Sequence, residues 1–161
     1  MRTLQGKEIS LATLRGRTVV LDFWGTWCPP CVASLPELKD VLRKYDTERL
    51  VLLSVSVGDE EGPWRAFVAK HGMTWPQYRD ADHGLADAFG IHAFPTYVVI
   101  DGEGAILDQI QGLNDRQSLG YRLRARLEPL LEGKRQSSGP VGADGAADLR
   151  DRPQQPGRSD Q

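Results

Sequence analysis

Beyond Cys28 and Cys31 the 161-residue sequence contains no cysteine, and its three histidines stand singly at positions 71, 83 and 92. Structural zinc needs four protein ligands and catalytic zinc three, so scattered histidines with no second cysteine pair argue against a metal centre. Haem attachment needs a histidine directly after the second cysteine, and position 32 is Val. Charge of one sign is also lacking. With 20 Lys and Arg against 22 Asp and Glu, and no basic stretch interleaved with aromatics, nothing points to nucleic acid. No apolar run approaches the roughly 18 residues of a membrane span, and Met1 is not followed by a signal-peptide pattern. The chain as given reads as soluble, which leaves its compartment open.

What the sequence does contain is concentrated in Val19-Val20-Leu21-Asp22-Phe23-Trp24-Gly25-Thr26-Trp27-Cys28-Pro29-Pro30-Cys31. An apolar strand runs into a turn that presents two cysteines at the start of a helix. Cysteines three positions apart can close a small disulfide ring, and a helix N-terminus favours the thiolate of the first. A purely structural disulfide more often joins distant segments, because short loops restrain the unfolded chain least. The pattern therefore points to thiol–disulfide exchange. Pro29 and Pro30 fix φ at values suited to a first helical turn but remove two N–H donors from the Cys28 sulfur. The Cys28 pKa is thus expected to fall less than where the intervening residues donate.

Hydrophobic content of 40% supplies one ordinary core, and the length suggests one domain. Residues 4–9 read as an edge strand or hairpin arm, and Ser10 as the cap of a turn at Leu11–Leu14 ended by Gly16. Residues 18–24 and 50–57 read as buried strands. A helix is expected from Pro29 to Tyr45, kinked near Pro36, and another over 62–71 opened by Gly62-Pro63. Residues 75–78 read as extended and 85–89 as a short helix ended by Gly90. Strands 96–100 and 105–111 form a hairpin about Asp101-Gly102-Glu103-Gly104. A last helix is expected over 115–131, with Leu119, Leu123, Leu127 and Leu130 on one side. From Gly133 onward aromatics vanish and apolar residues are sparse, which predicts a domain over 1–132 and a disordered tail over 133–161, a linker or a tail without function. Alternating strands and helices closed by a hairpin and a helix imply a mixed α/β sandwich.

Three features together resemble the thioredoxin fold: Trp27-Cys28-Pro29-Pro30-Cys31 after a buried strand, Pro36 in the following helix, and Phe94-Pro95-Thr96 entering a strand. Gly6-Lys7-Glu8-Ile9-Ser10-Leu11, Leu14-Arg15-Gly16-Arg17 and Phe23-Trp24-Gly25-Thr26-Trp27-Cys28 are similar to the TlpA/ResA-like branch, over residues 4–131. The resemblance implies a three-layer α/β/α sandwich with a central mixed sheet and a central insertion between residue 58 and Gly90. It also implies that Pro95 is cis and lies beside the disulfide, leaving the Phe94 backbone free to pair with an extended substrate. Trp27, Pro30, Phe94 and Pro95 then line the substrate surface, although Trp27 and Phe94 read equally well as core or rim aromatics.

Asp22 aligns with the buried Asp of thioredoxins. Burial should raise its pKa and suit it to take the proton from Cys31; the alternative is an Asp at a sheet edge facing water. Many branch members carry an acid three residues past the second cysteine, where this chain has Ser34, and 52–57 offers no Lys to pair with Asp22.

The implied activity is reduction of protein disulfides. Cys28 attacks, Cys31 resolves, and an upstream thiol donor recharges the pair, with no metal or organic cofactor. The partners are that donor and a disulfide-containing protein substrate, and the working unit is expected to be a monomer. The resemblance places the chain outside the cytoplasm, in the periplasm or on a membrane tether, with the cytoplasm as the alternative, and admits cytochrome c maturation as a role. An oxidase or isomerase of exported proteins runs the same steps in reverse. A peptide-binding module with an inert disulfide is the reading from another class. A peroxiredoxin-type peroxidase would need a different setting of Thr and Arg around its cysteine.

Overall fold

A run of seven residues with no charge except Asp22, five of them β-branched or aromatic, forms the centre of the molecule. The computed structural model describes residues 1–112 and 118–132, so the tail expected over 133–161 and the start of the last helix lie outside the described residues. Strand β1 is Thr18–Trp24, and all seven residues are buried. It lies between β2, Leu50–Val57, which runs parallel, and β4, Thr96–Ile100, which runs antiparallel. Strands β3, Gln77–Asp80, and β5, Ile106–Gln111, complete a five-stranded sheet in the order β3-β2-β1-β4-β5. Burial on both faces explains why β1 and β2 read as apolar runs and not as alternating ones.

Period two sorts the strand residues between two cores. Val20, Trp24, Leu52, Tyr97 and Val99 face one side, covered by α1 (Pro29–Ala33), α2 (Leu35–Lys44), α3 (Glu61–Lys70) and α5 (Leu119–Glu132). Leu21, Phe23, Leu53, Val55 and Val98 face the other, covered by Ile9, Leu14, Ile91 and the short α4, Gly84–Ala88. The result is the expected thioredoxin-like three-layer α/β/α sandwich with a mixed sheet. Leu123, Leu127 and Leu131 of α5 are buried at helical spacing, with Leu130 packed beside them. Truncating Leu127 to Ala would cost about 2–5 kcal/mol.

Four local expectations need adjustment. The helix expected over Pro29–Tyr45 is two helices, because Pro36 cannot donate to the carbonyl four residues back and its ring crowds that carbonyl. The chain stops at Ser34 and restarts with Pro36 in the first turn of α2. Helix α3 begins at Glu61, one residue before the Gly-Pro signal. The extended piece expected at 75–78 is shifted to Gln77–Asp80; Pro76 contributes only its carbonyl, to the Ser54 N–H at 3.1 Å. Residues 4–9 form no strand, only an Arg2–Glu8 bridge around a turn. Ser10 caps Leu11–Leu14 as expected, in a reciprocal pair with Thr13.

Candidate active site

The turn between β1 and α1 is held by a second carboxylate that the sequence pattern did not single out. Asp59, just past the end of β2, accepts from the Thr26 N–H at 3.0 Å, the Thr26 hydroxyl at 2.6 Å and the Ser56 hydroxyl at 2.5 Å. The Trp27 indole donates to the Val57 carbonyl at 3.0 Å, and the Cys28 N–H to the Gly25 carbonyl at 3.1 Å. Trp27 folds back over Gly25 so closely that a Cβ there would lie 2.4 Å from its indole nitrogen. Only glycine fits beneath that ring.

Cys28 occupies the cap position of α1 in extended conformation, with Pro29 and Pro30 as its first two helical residues. Cys28 and Cys31 are joined as a disulfide, with Cα atoms 5.3 Å apart. Cys28 is 4% exposed and Cys31 2%. The prolines leave the Cys31 N–H as the donor to the Cys28 sulfur, at 3.3 Å. Trp27 stands over this turn 54% exposed, with the Phe94 ring edge-on at 5.2 Å between centroids. Phe94 is half-buried and packs on the core cluster that holds both cysteines. The Phe94–Pro95 peptide bond is cis, as the resemblance implies. Pro95 is buried and its carbonyl accepts from the Gly112 N–H at 2.7 Å. Among the described residues, the Phe94 N–H and carbonyl have no intramolecular partner. Pro30 is half-buried beside the disulfide and Pro29 exposed.

Asp22 is not at a sheet edge. It is 1% exposed, in register with Ser54 on β2 and Tyr97 on β4. The Ser54 hydroxyl donates to Asp22 Oδ2 at 2.6 Å and itself accepts from the Trp75 indole at 2.8 Å. Burial raises the Asp22 pKa to about 7, against the smaller opposing effects of the Ser54 hydrogen bond and the neighbouring Tyr97 hydroxyl. Among the described residues no cation contributes. Tyr97, also buried, is pushed well above the usual range for a phenol, by burial first and by the neighbouring Asp22 charge second. Its hydroxyl lies 3.1 Å from Ser34 Oγ, which donates to the Cys31 carbonyl at 2.7 Å. Ser34 thus stands between the Cys31 turn and the buried carboxyl's neighbour.

Sequence reading missed Asp59, Thr26, Ser54 and Tyr97 as members of this neighbourhood. The signal for Ser54 and Tyr97 is register, because the three strands bring positions 22, 54 and 97 into one row. Glu37 accepts from the Gly120 N–H and ties α2 to the start of α5. Among the described residues, no cluster of three His, Cys, Asp or Glu side chains could hold a metal ion.

A model of the AhpC/TSA family matches residues 1–109. The thiol-disulfide oxidoreductase ResA of Bacillus thuringiensis (strain Al Hakam) is 31% identical over 119 residues, 73% of this chain and 69% of that protein. ResA of Geobacillus thermodenitrificans (strain NG80-2) is 30% identical over 122 residues, 76% of this chain and 70% of that one. The crystal structure of a secreted Mycobacterium tuberculosis disulfide oxidoreductase superposes with a TM-score of 0.68 at 25% identity, covering 80% of this chain and 92% of that one. With a cysteine pair closed at the head of a helix and relatives of this kind, the chain belongs to the AhpC/TSA family, among its thioredoxin-like, ResA-like thiol–disulfide oxidoreductases.

Proposed function

We propose that the chain reduces disulfides of proteins outside the cytoplasm, with Cys28 as nucleophile, Cys31 as resolving thiol and Asp22 as the base that serves it. The observation that supports this best is Asp22 itself: a carboxyl 1% exposed, with no cation acting on it among the described residues and its pKa raised to about 7. A base with a pKa near the working pH is half ionised there, yet strong enough to take a thiol proton.

The cycle starts from the reduced pair. Cys28 thiolate attacks one sulfur of the substrate disulfide; the Cys28–substrate bond forms and the other substrate sulfur leaves as thiolate. Cys31 gives its proton to Asp22, directly or through water, and its thiolate attacks Cys28. The Cys28–Cys31 bond forms and the second substrate thiolate leaves. Two electrons have passed to the substrate, and the structure is the oxidised product of that step. An upstream thiol donor then reduces the pair.

The substrate surface is Trp27, Pro30, Phe94 and Pro95. Supporting it are the exposed Trp27 ring, its Phe94 wall and the Phe94 backbone beside them, unpaired among the described residues, which offers an edge to an extended segment. The working unit is a monomer. The secreted M. tuberculosis relative supports an extracytoplasmic site, and any membrane tether lies outside the described residues, among which no helix is long and apolar enough to cross a membrane. Insulin reduction with dithiothreitol tests the reading. Turbidity that disappears with Cys28→Ser is the expected result, and a trace no faster than dithiothreitol alone would overturn it.

A further inference from the structure

Ser34 and Tyr97 present a hydrogen count that does not close in a single arrangement. Ser34 has one hydroxyl hydrogen, and it goes to the Cys31 carbonyl at 2.7 Å. In the 3.1 Å contact between Ser34 Oγ and the Tyr97 hydroxyl, Tyr97 must therefore donate. Tyr97 also has one hydrogen. Asp22 Oδ1 has no hydrogen-bond partner in this arrangement, although Tyr97 is its cross-strand neighbour. Oδ2 is already served by Ser54. A buried carboxylate oxygen without a donor is costly, whereas a protonated carboxyl in the same place could donate to the Tyr97 oxygen.

We propose that Tyr97 is a positioning residue for proton transfer at Cys31, its hydroxyl turning from Ser34 to Asp22 Oδ1 when Asp22 ionises, with Ser34 linking that turn to the Cys31 carbonyl. The proposal rests on Asp22 being the base for Cys31. The balance is simple. With Asp22 protonated, the carboxyl donates to Tyr97 and Tyr97 to Ser34. With Asp22 ionised, Tyr97 donates to Oδ1, and the Ser34 oxygen loses a donor while keeping its own bond to Cys31. In the resolving step the Cys31 proton passes to Asp22, and Tyr97 returns to Ser34 as it arrives. Besides the rotation of one hydroxyl, the Tyr97 ring and the Asp22 carboxyl must adjust toward each other, because Oδ1 has no partner in this structure.

Few other groups bear on this site. Tyr97 faces Asp22 from β4, Ser54 from β2, and the Cys28–Cys31 pair shares the core from α1. Glu37 on α2 acts on Tyr97 as a like charge. Among the described residues no Lys, Arg or His acts on Asp22.

The two hydroxyls should move the Asp22 midpoint in opposite directions, which a merely structural role would not do. Tyr97→Phe removes the donor that its cross-strand neighbour offers Oδ1, so the midpoint rises by about one pH unit. Ser34→Ala removes the competing acceptor, frees Tyr97 for the carboxylate, and lowers the midpoint by about 0.7 unit. The double variant should behave as Tyr97→Phe alone, since Ser34 acts only through Tyr97.

The experiment is the pH profile of mixed-disulfide resolution in single turnover, with the Asp22 carboxyl titrated by carbon-13 NMR in the oxidised protein. At pH 7, Tyr97→Phe should resolve about five-fold more slowly than the parent and recover at pH 9. Opposite shifts in both readouts support the proposal. If Asp22→Asn abolishes the midpoint while the two hydroxyl variants leave it in place or move it the same way, the switch is wrong and the base assignment stands. If Asp22→Asn leaves the profile intact, both fall.

Discussion

Replacing Asp22 with Asn should make the oxidised protein more stable at alkaline pH and slower as an enzyme. The unfolded carboxyl titrates near 3.8 and the folded one at about 7. Between those values the folded state holds a proton that the unfolded state has lost. Stability therefore falls with rising pH, by about 1.4 kcal/mol per unit. The contribution is fully present below about pH 4 and is gone above about pH 7. By pH 8 the buried charge costs on the order of 4 kcal/mol. Asn keeps the shape and accepts from Ser54, but its amide must find Tyr97 as acceptor, which offsets about 1–2 kcal/mol of the gain. The net expectation is about 2–3 kcal/mol at pH 8, or roughly 5–10 °C in Tm for a domain of this size, and no gain at pH 4. Urea unfolding of both oxidised proteins from pH 4 to 8.5 measures it. Parallel curves would refute the claim that burial, with no compensating cation, sets the Asp22 pKa.

Other outcomes follow from the same geometry. Cys31→Ser should trap a covalent complex with a protein disulfide, seen by non-reducing gel and intact mass, and Cys28→Ser should trap none. Gly25→Ala forces a Cβ to within 2.4 Å of the Trp27 indole, so it should destabilise by about 1–3 kcal/mol in urea and shift Trp27 fluorescence. Asp59→Asn weakens acceptance from Thr26 and Ser56, for a loss of about 1–3 kcal/mol and faster amide exchange at Thr26.

Much of this was legible along the chain because the strongest signals are local. Seven buried residues in β1 and eight in β2 announce strands hydrophobic on both faces, and Ser10 announces its turn. The cysteine pair needs only its neighbours to be recognised. The row that joins Ser54, Asp22 and Tyr97 is different. It depends on a parallel register on one side of β1 and an antiparallel one on the other, and no window of sequence contains both. Asp59 was missed for the same reason, since its partners lie 33 residues away at Thr26 as well as nearby at Ser56. In sequence Ser34 stands out only as a position without the acid of related chains. Its place in the site depends on α1 ending there ahead of Pro36, which leaves the hydroxyl between the Cys31 carbonyl and Tyr97.

The direction of electron flow is the central claim, and the equilibrium reduction potential of the Cys28–Cys31 pair against a dithiothreitol or glutathione series tests it most directly. A reductase should lie near about −270 mV, the range of thioredoxin. A value near about −120 mV would mean that the pair gives its disulfide away, and would contradict the account.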